Sequence, residues 1–447
     1  MAALALWGAM AVCTGGCSRC GTGGTGPPSV LLISVDTLRP DHLSAYGYNR
    51  RTSPNIDRLA SDGILFLNAI STTSWTLPAH VSMLTSLYPD VHGVIRGRER
   101  LSENAILCSE YLKEAGYRTY GVVSGPFLNN RYGYNQGFDV YDDMTVSFQS
   151  KKQASRGSTS PYVHRRAVEI LDGHANTGPF FLFLHYWDPH YDYAPPSPYD
   201  DMYDPEYSGD FEGEDLARNE RLRPDMNRRD LDHLIALYDG EIAYTDEHIG
   251  KILTRLREQG LYDRMLIILT SDHGEEFFEH GNFGHRKSLF GETLRVPLIV
   301  KLPRGQLAGR RVSSTAGIID ILPTILDVAH LTPRGGIHGR SLLGVPAEPR
   351  EETSYYADLF GSMKCAQSGP WKLIKNRGPG YLLYHLPRDP GEKHDLQGEA
   401  PQELARARAE LSRWLEETSI ERRHFRTRKI EHDRATEEML ESLGYGD

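Results

Sequence analysis

The chain is expected to fold as an α/β protein: a doubly wound, mostly parallel sheet flanked by helices, with a smaller C-terminal α+β subdomain. Three observations predict this. Apolar runs of strand length recur as far as about residue 300, helical patterns separate them, and beyond about residue 340 the runs become short and closely spaced.

The strand runs are SVLLISVD (29–36), YRTYGVVS (117–124), PFFLFLHYWD (179–188), MLIILTSDHG (265–274) and VPLIVKLP (296–303). Most are continuous apolar runs rather than alternating ones, which suits strands covered on both faces in a parallel sheet. The helical patterns are PNIDRLASDG, LPAHVSMLTSLY, LSENAILCSEYLKEAG and the long DLDHLIALYDGEIAYTDEHIGKILTRLREQG. The third of these carries Cys108, which reads as a buried core thiol. Further on, SYYADLF, WKLIK and YLLYHL read as short strands and PQELARARAELSRWLEETS as a closing helix. The boundaries that follow are 1–28 for a leader and tether, 29–335 for the large domain, 336–420 for the subdomain, and 421–447 for a charged, peripheral tail. Residues 192–230, acidic and rich in tyrosine, read either as a lid over the strand ends or as a solvated insertion.

A net charge of −10 over 447 residues argues against a nucleic-acid partner bound by phosphate neutralisation. The stretch ALALWGAMAV (3–12) is too short to span a bilayer and resembles the apolar part of a secretory signal, although no Lys or Arg leads it. Cys13, Cys17 and Cys20 follow, then the glycine-rich GTGGTGPP. The GGCS around Cys17 resembles a bacterial lipoprotein processing site. The expectation is an exported chain in the periplasm or cell envelope, attached to the membrane through lipidated Cys17, with the Gly/Pro stretch as a tether. Cys108 and Cys365 make neither a disulfide framework nor a metal-ligand spacing.

Ligands of open α/β sheets collect at the carboxyl ends of the strands. Asp36 ends the first run, Asp272-His273 follow the fourth, and the third reaches His185, Asp188 and His190. Any one of these carboxylates is as readily a helix cap or a loop-ordering group. Together they fit a divalent cation held by Asp36, Asp272 and His273. In TTSWTLPAH (72–80), Thr76 stands directly before Leu77-Pro78 at a helix start. Alone it reads as an N-cap. Beside a cation with a vacant position it reads as a metal-activated nucleophile, with the helix N-terminus offering N–H groups to an anionic ester.

From about Val30 onward the chain resembles the sulfatases of the alkaline phosphatase superfamily. The resemblance is carried by LLISVDTLRPDHLSAYGYNRRTSPNIDRLASDGILFLNA, SMLTSLYPDVHGV and LIILTSDHGEEFFEHGNFGHRKSLFGETLRVPLIV, and by the later IIDILPTILDVAHL, GRSLLG, WKLI and LYHLPRDPGEKHDL. Sulfatases carry Cys or Ser, matured to formylglycine, in a Cys/Ser-x-Pro-x-Arg motif. This chain has Thr76-Leu77-Pro78-Ala79-His80, and the methyl on the threonine β-carbon bars that oxidation. It also has Asp36-Thr37 where many sulfatases have paired acids, and Gly121–Gly125 lacks their Lys-x-His. Nucleotide pyrophosphatases, lipoteichoic acid synthases and phosphoethanolamine transferases, from related branches, do pass phosphoryl groups through a threonine.

The resemblance implies Asp36, Thr76, Asp272 and His273 as metal ligands, with Thr76, His190 and His285 catalytic. It implies substrate contacts from His80, His185 and Lys287, while His92 reads as structural. The cofactor is one divalent metal ion. A histidine ligand favours Zn²⁺ or Mn²⁺, and Ca²⁺ or Mg²⁺ is the alternative because sulfatases commonly use calcium. The expected activity is hydrolysis of sulfate or phosphate/phosphonate esters. The alternatives are a phosphoryl-group transferase acting on an envelope lipid or glycan, and a non-catalytic lipoprotein that binds anionic glycans.

Overall fold

The computed structural model describes residues 26–143, 159–174, 177–190, 192–345, 353–442 and 445. The signal-like stretch, Cys13, Cys17 and Cys20 lie outside the described residues. The strands of the large sheet are β1 (Val30–Val35), β2 (Ile64–Ile70), β3 (Arg118–Val122), β4 (Val140–Asp142), β5 (Phe180–Tyr186), β6 (Leu266–Thr270), β7 (Arg295–Lys301) and β8 (Arg310–Val312). Their order is β8-β2-β7-β6-β1-β5-β3-β4, and the short pair Ala316–Gly317 adds to β2. From β6 to β4 every pairing is parallel.

The helices are α1 (Pro54–Ser61), α2 (Thr76–Thr85), α3 (Cys108–Glu114), α4 (Ser160–Gly173), α5 (Arg228–Glu258) and α6 (Ile321–Val328). They cover both faces. Val30 and Leu32 of β1 share a core with α2, α3 and α6, whereas Leu31, Ile33 and Val35 share one with α1, α4 and α5. Burial on both faces is why the strand is apolar at every position but Ser34. Cys108 is buried, as expected, but α3 begins only there, after an irregular 101–107 stretch.

VPLIVKLP departs from the expected parallel arrangement, since β7 runs antiparallel to both β6 and β2. An antiparallel neighbour needs no crossover helix. The connection from β6 to β7 therefore stays at one end of the sheet, and it carries much of the site. The strands β2 and β4 were not foreseen from the apolar runs.

The subdomain is an antiparallel meander of β9 (Ser354–Leu359), β10 (Met363–Ser368), β11 (Trp371–Lys375) and β12 (Tyr381–His385), closed by α7 (Pro401–Glu421). Ala407 and Leu411 of α7 pack on Ala366, Leu373 and Leu383. The opposite face, with Tyr355, Cys365 and Ile374, packs on Ile70, Tyr88, Leu294 and Ile319 of the large domain. Beyond α7, residues 428–429 pair with 99–100, and α8 (Arg434–Ser442) buries Met439 and Leu440 in the main core. The tail, expected to be peripheral, is therefore built into the large domain. Apolar residues spaced among its charges supply the anchor.

Asp320 joins the two sheets. Its Oδ2 accepts from the Tyr355 hydroxyl at 2.7 Å and the Gly317 N–H at 2.9 Å, and its Oδ1 accepts from the Arg340 N–H at 2.9 Å. Asp320→Ala is expected to lower stability by about 3 kcal/mol, because two buried donors and one partly buried donor lose their acceptor. Tyr355→Phe is expected to cost about 1 kcal/mol by the same rule. Urea unfolding of the two variants checks both the size and the order.

Candidate active site

The site forms where the parallel strands end. Ser34 of β1 lies opposite His185 of β5 and Thr270 of β6, so the residues just beyond emerge side by side. Asp36 extends the ladder, its N–H donating to the Tyr186 carbonyl at 2.9 Å. Thr37 then turns through a φ of 54°, a conformation that costs a β-branched residue about 1–3 kcal/mol. Its surroundings hold it there. Its N–H donates to Asp272 Oδ1 at 3.3 Å, and its carbonyl accepts from the Tyr238 hydroxyl at 2.8 Å.

Thr76 is the first helical residue of α2, and the extended Trp75 before it is the N-cap, with no side-chain capping bond. The Thr76 hydroxyl is thus not used as a cap. Its Oγ1 lies 3.4 Å from Asp36 Oδ2 and 3.2 Å from His273 Nε2. Asp36, Asp272 and His273, all fully buried, each present one ligand atom within 4.8 Å of the others. His273 Nδ1 is 2.9 Å from the Gly274 carbonyl. A carbonyl can only accept, so the proton is on Nδ1 and the Nε2 lone pair faces the carboxylates.

Among the described residues, Asp36 Oδ1 and Asp272 Oδ2 are buried without a hydrogen-bond partner, as is His185 Nε2. Inward-facing carboxylate oxygens beside imidazole lone pairs form a donor set that fits a divalent cation. The four residues expected as ligands, Asp36, Thr76, Asp272 and His273, are brought together in one place.

Two expected substrate contacts are placed differently. His185 donates from Nδ1 to the Ser124 carbonyl at 2.7 Å, and its Nε2 stands 3.4 Å from Asp36 Oδ2. It faces the carboxylate cluster. His80 bonds the Thr76 carbonyl through Nδ1 and the Ser34 hydroxyl through Nε2, both at 2.9 Å. With both nitrogens engaged beneath the helix start, His80 braces Thr76 instead of reaching an ester. His92, hydrogen-bonded to Ser82 and to the Val94 N–H, is structural.

The electrostatics follow from burial. Burial, and then the neighbouring Asp272 carboxylate, push the Asp36 pKa well above the carboxylate range. Burial works against the Asp272 charge too, but His273, His80 and His185 around it outweigh that effect and hold its pKa below the usual value. Burial lowers His80 to about 3 and His185 to about 4, so both are neutral rings.

His190 and His285 form an outer pair with ring centroids 4.9 Å apart, and the His285 ring lies 4.6 Å from that of His273. His190 stacks on Trp187 at 3.8 Å. His285 Nδ1 is 3.0 Å from Glu275 Oε1, and Glu275 also accepts from the Tyr193 hydroxyl at 3.1 Å. The Tyr445 hydroxyl bonds His190 Nε2 and lies 3.4 Å from His285 Nε2. The Arg286 guanidinium sits 4.8 Å from the rings of both Trp75 and Tyr445.

Lys287 Nζ donates to the Phe283 carbonyl at 2.7 Å. With His285 and Arg286 it lines a cavity of about 380 Å³ whose other walls include Leu216, Leu222 and Phe360. Leu216 and Leu222 belong to the 192–230 insertion, which therefore flanks the site mouth. Sequence reasoning had not singled out Ser34, Glu275, Arg286 or Tyr445. Glu275 and Arg286 adjoin motifs that were recognised, but no local signal marks Tyr445.

An acid and an Asp-His pair at the carboxyl ends of a doubly wound sheet, facing a threonine at a helix start, are the arrangement expected of a hydrolase of the alkaline phosphatase type. Comparison with known proteins makes this specific. The family model described as Sulfatase matches residues 28–331, and that for the C-terminal region of N-sulphoglucosamine sulphohydrolase matches 278–421. The chain is 26% identical over 415 residues to an uncharacterised sulfatase, YidJ, of Escherichia coli, covering 83% of each chain. It is 23% identical to the N-acetylglucosamine-6-O-sulfatase of Bacteroides thetaiotaomicron, covering 88% of this chain and 86% of that one. The phosphonate monoester hydrolase of Agrobacterium radiobacter shares the fold, with a TM-score of 0.71 and 23% identity over 88% of this chain and 96% of that one. The chain belongs to the sulfatase family, and with it to the enzymes that hydrolyse sulfuric or phosphoric esters.

The raised Asp36 pKa sets a pH dependence. Without a cation the native state binds an extra proton there, so stability declines as pH rises from about 4, the ordinary carboxyl value, through the raised one. A cation requires that proton to leave, so its affinity grows with pH. Added Zn²⁺ or Mn²⁺ is expected to raise Tm by more at pH 8 than at pH 5. Calorimetry of metal-free and metal-loaded protein at both pH values checks this, and an equal increment contradicts it.

Proposed function

We propose that the chain is a metal-dependent ester hydrolase whose nucleophile is the Thr76 hydroxyl, acting on phosphate or phosphonate esters in preference to sulfates. The observation that carries this reading is the placement of Thr76 Oγ1, released from helix capping and set among Asp36, Asp272 and His273. The similarity to sulfatases and to phosphonate monoester hydrolases supports the substrate class.

Asp36, Thr76, Asp272 and His273 would hold the ion, with His185 beside them. Nitrogen donors favour Zn²⁺ or Mn²⁺ over Ca²⁺, which prefers oxygen ligands. When bound, the metal supplies positive charge that lowers the threonine pKa and offsets the charge of the ester oxygens. The N-terminus of α2 adds free N–H groups beside the same oxygens. Thr76 Oγ1 forms a bond to phosphorus, and its proton leaves toward Asp36 Oδ2, 3.4 Å away. The bond to the leaving oxygen breaks, and that oxygen takes a proton from His190, with His285 beside it. Water then attacks phosphorus and gives a proton to His190, the bond to Thr76 Oγ1 breaks, and Oγ1 takes back the proton held by Asp36.

Phosphorus suits this route because a threonine ester must be released by attack at the central atom. Formylglycine offers sulfatases a hemiacetal exit that threonine lacks. The stretches ALALWGAMAV and GGCS support export to the envelope, with Cys17 as the lipid attachment point.

Thr76→Ala is expected to lower kcat/KM for the best ester at least about 10³-fold, while Thr76→Ser stays within about tenfold of wild type. A parallel panel of aryl sulfates, phosphates and phosphonates with Zn²⁺, Mn²⁺ and Ca²⁺ measures this. Full turnover by metal-loaded Thr76→Ala, or a mass spectrum showing modified residue 76 in resting enzyme, overturns the assignment. Product formation that depends on an added alcohol acceptor would identify a transferase instead.

A further inference from the structure

The outer histidines already hold an aromatic alcohol, supplied by the chain itself. The Tyr445 hydroxyl bonds His190 Nε2 and approaches His285 Nε2 to 3.4 Å. The phenol has one proton, so it donates to one imidazole and accepts from the other. The ring is enclosed as well. It meets Phe127 edge-on at 4.7 Å, carries the Arg286 guanidinium 4.8 Å from its centroid, and leaves Tyr445 only 5% exposed. Arg286 is shared with Trp75, the residue before Thr76.

This placement is not incidental packing of a loose end. Residues 428–429 pair with 99–100, and the Ile430 N–H donates to the Arg98 carbonyl at 2.8 Å. Thr436 takes a bond from Arg131, Glu437 pairs with Arg98, and Met439 and Leu440 are buried. The Tyr445 N–H returns to the Leu440 carbonyl at 2.8 Å. The anchors lie on α8 and the strand before it, whereas Tyr445 touches the site through a hydroxyl, a ring edge and a cation–π face. Contacts of that kind are individually of modest strength, so an aromatic ligand can compete for them without disturbing the anchors on α8.

We propose that Tyr445 is an internal occupant of the leaving-group subsite, that it gives way when an ester enters, and that the subsite takes an aromatic alcohol. The proposal rests on the reading that His190 and His285 face the leaving oxygen. The phenol lies against both rings through the hydroxyl such an oxygen would resemble, flanked by an aromatic edge and a guanidinium that stack on planar rings. A substrate with an aryl leaving group reproduces these contacts, whereas a small alkyl leaving group forfeits the ring contacts.

The test is a binding measurement on full-length protein with phenol as the probe, paired with kinetics on phenyl and methyl esters of the same acid. Tyr445→Ala leaves a ring-shaped space, and such engineered cavities take up small aromatics. This variant is expected to bind phenol at least about tenfold more tightly than wild type by calorimetry, and to lower KM for the phenyl ester by a similar factor. The methyl ester KM should stay within about twofold. Tyr445→Phe keeps the fill but loses both hydroxyl bonds, and is expected to shift the phenyl ester KM in the same direction by about threefold.

Equal phenol affinity in wild type and Tyr445→Ala overturns the proposal, as does an equal KM change for both esters. If Tyr445→Ala does not fold, an unchanged phenyl ester KM in Tyr445→Phe overturns it alone. Gained phenol binding with no turnover of any ester would leave the subsite standing and sink the hydrolase reading. Turnover with no change on substituting Tyr445 would do the reverse.

Discussion

Two buried carboxylates with oxygens that find no hydrogen-bond partner among the described residues, Asp36 Oδ1 and Asp272 Oδ2, set the terms for the rest of this structure. An unpaired charge in such a place is expensive, and two of like sign are more so. The fold supports them by adjacency. β1 and β6 are parallel neighbours in register, so acids that end each strand emerge together. The strained Thr37 turn then sets a backbone N–H on Asp272, and the imidazoles of His273, His80 and His185 close around the pair. Buried acids beside imidazole nitrogens at one point form a donor set that a divalent cation fits.

The histidines form two layers with different chemistry. In the inner layer, His273 and His185 tie Nδ1 to a backbone carbonyl and present Nε2 to the acids. Backbone carbonyls thereby fix the tautomer that a metal ligand requires. His80 belongs to this layer in position but not in task, since Ser34 and the Thr76 carbonyl consume both of its nitrogens. The outer layer, His190 and His285, has partners that are themselves acids or alcohols, Glu275 and Tyr445. Groups of that kind suit proton traffic at a leaving oxygen.

Segments remote in sequence complete the mouth. The 192–230 insertion brings Leu216 and Leu222 to the cavity beside His285, and Tyr193 to Glu275. The subdomain contributes Phe360 to that cavity, and the chain end contributes Tyr445. The candidate metal ligands thus come from strand ends and the start of α2, while the walls of the mouth come from connections and from the C-terminal half. This separation lets one strand-end chemistry serve different esters.

Much of this was legible in the sequence, for definite reasons. Strands buried on both faces must be apolar at nearly every position, so β1, β5 and β6 declared themselves, and the rule that ligands gather at strand ends then singled out Asp36, Asp272 and His273. The motif TTSWTLPAH marked Thr76 because a hydroxyl ahead of Leu-Pro predicts a helix start. What the one-dimensional pattern lacks is direction. Whether Thr76 caps its helix or faces a carboxylate depends on Trp75 taking the N-cap position. Whether His80 and His185 meet a substrate or a neighbour depends on which groups stand beside each ring nitrogen, and Ser34 and Ser124 among them come from segments far along the chain. The reversal of β7 was hidden because an apolar run reads the same in either direction. Tyr445 was invisible for the strongest reason: 255 residues separate it from His190, and only folding brings a chain end across that distance. Residue types and periodicity therefore settled the architecture and the donor atoms, while tertiary packing alone decided their orientation, protonation and enclosure, because those depend on contacts between segments that sequence order keeps apart.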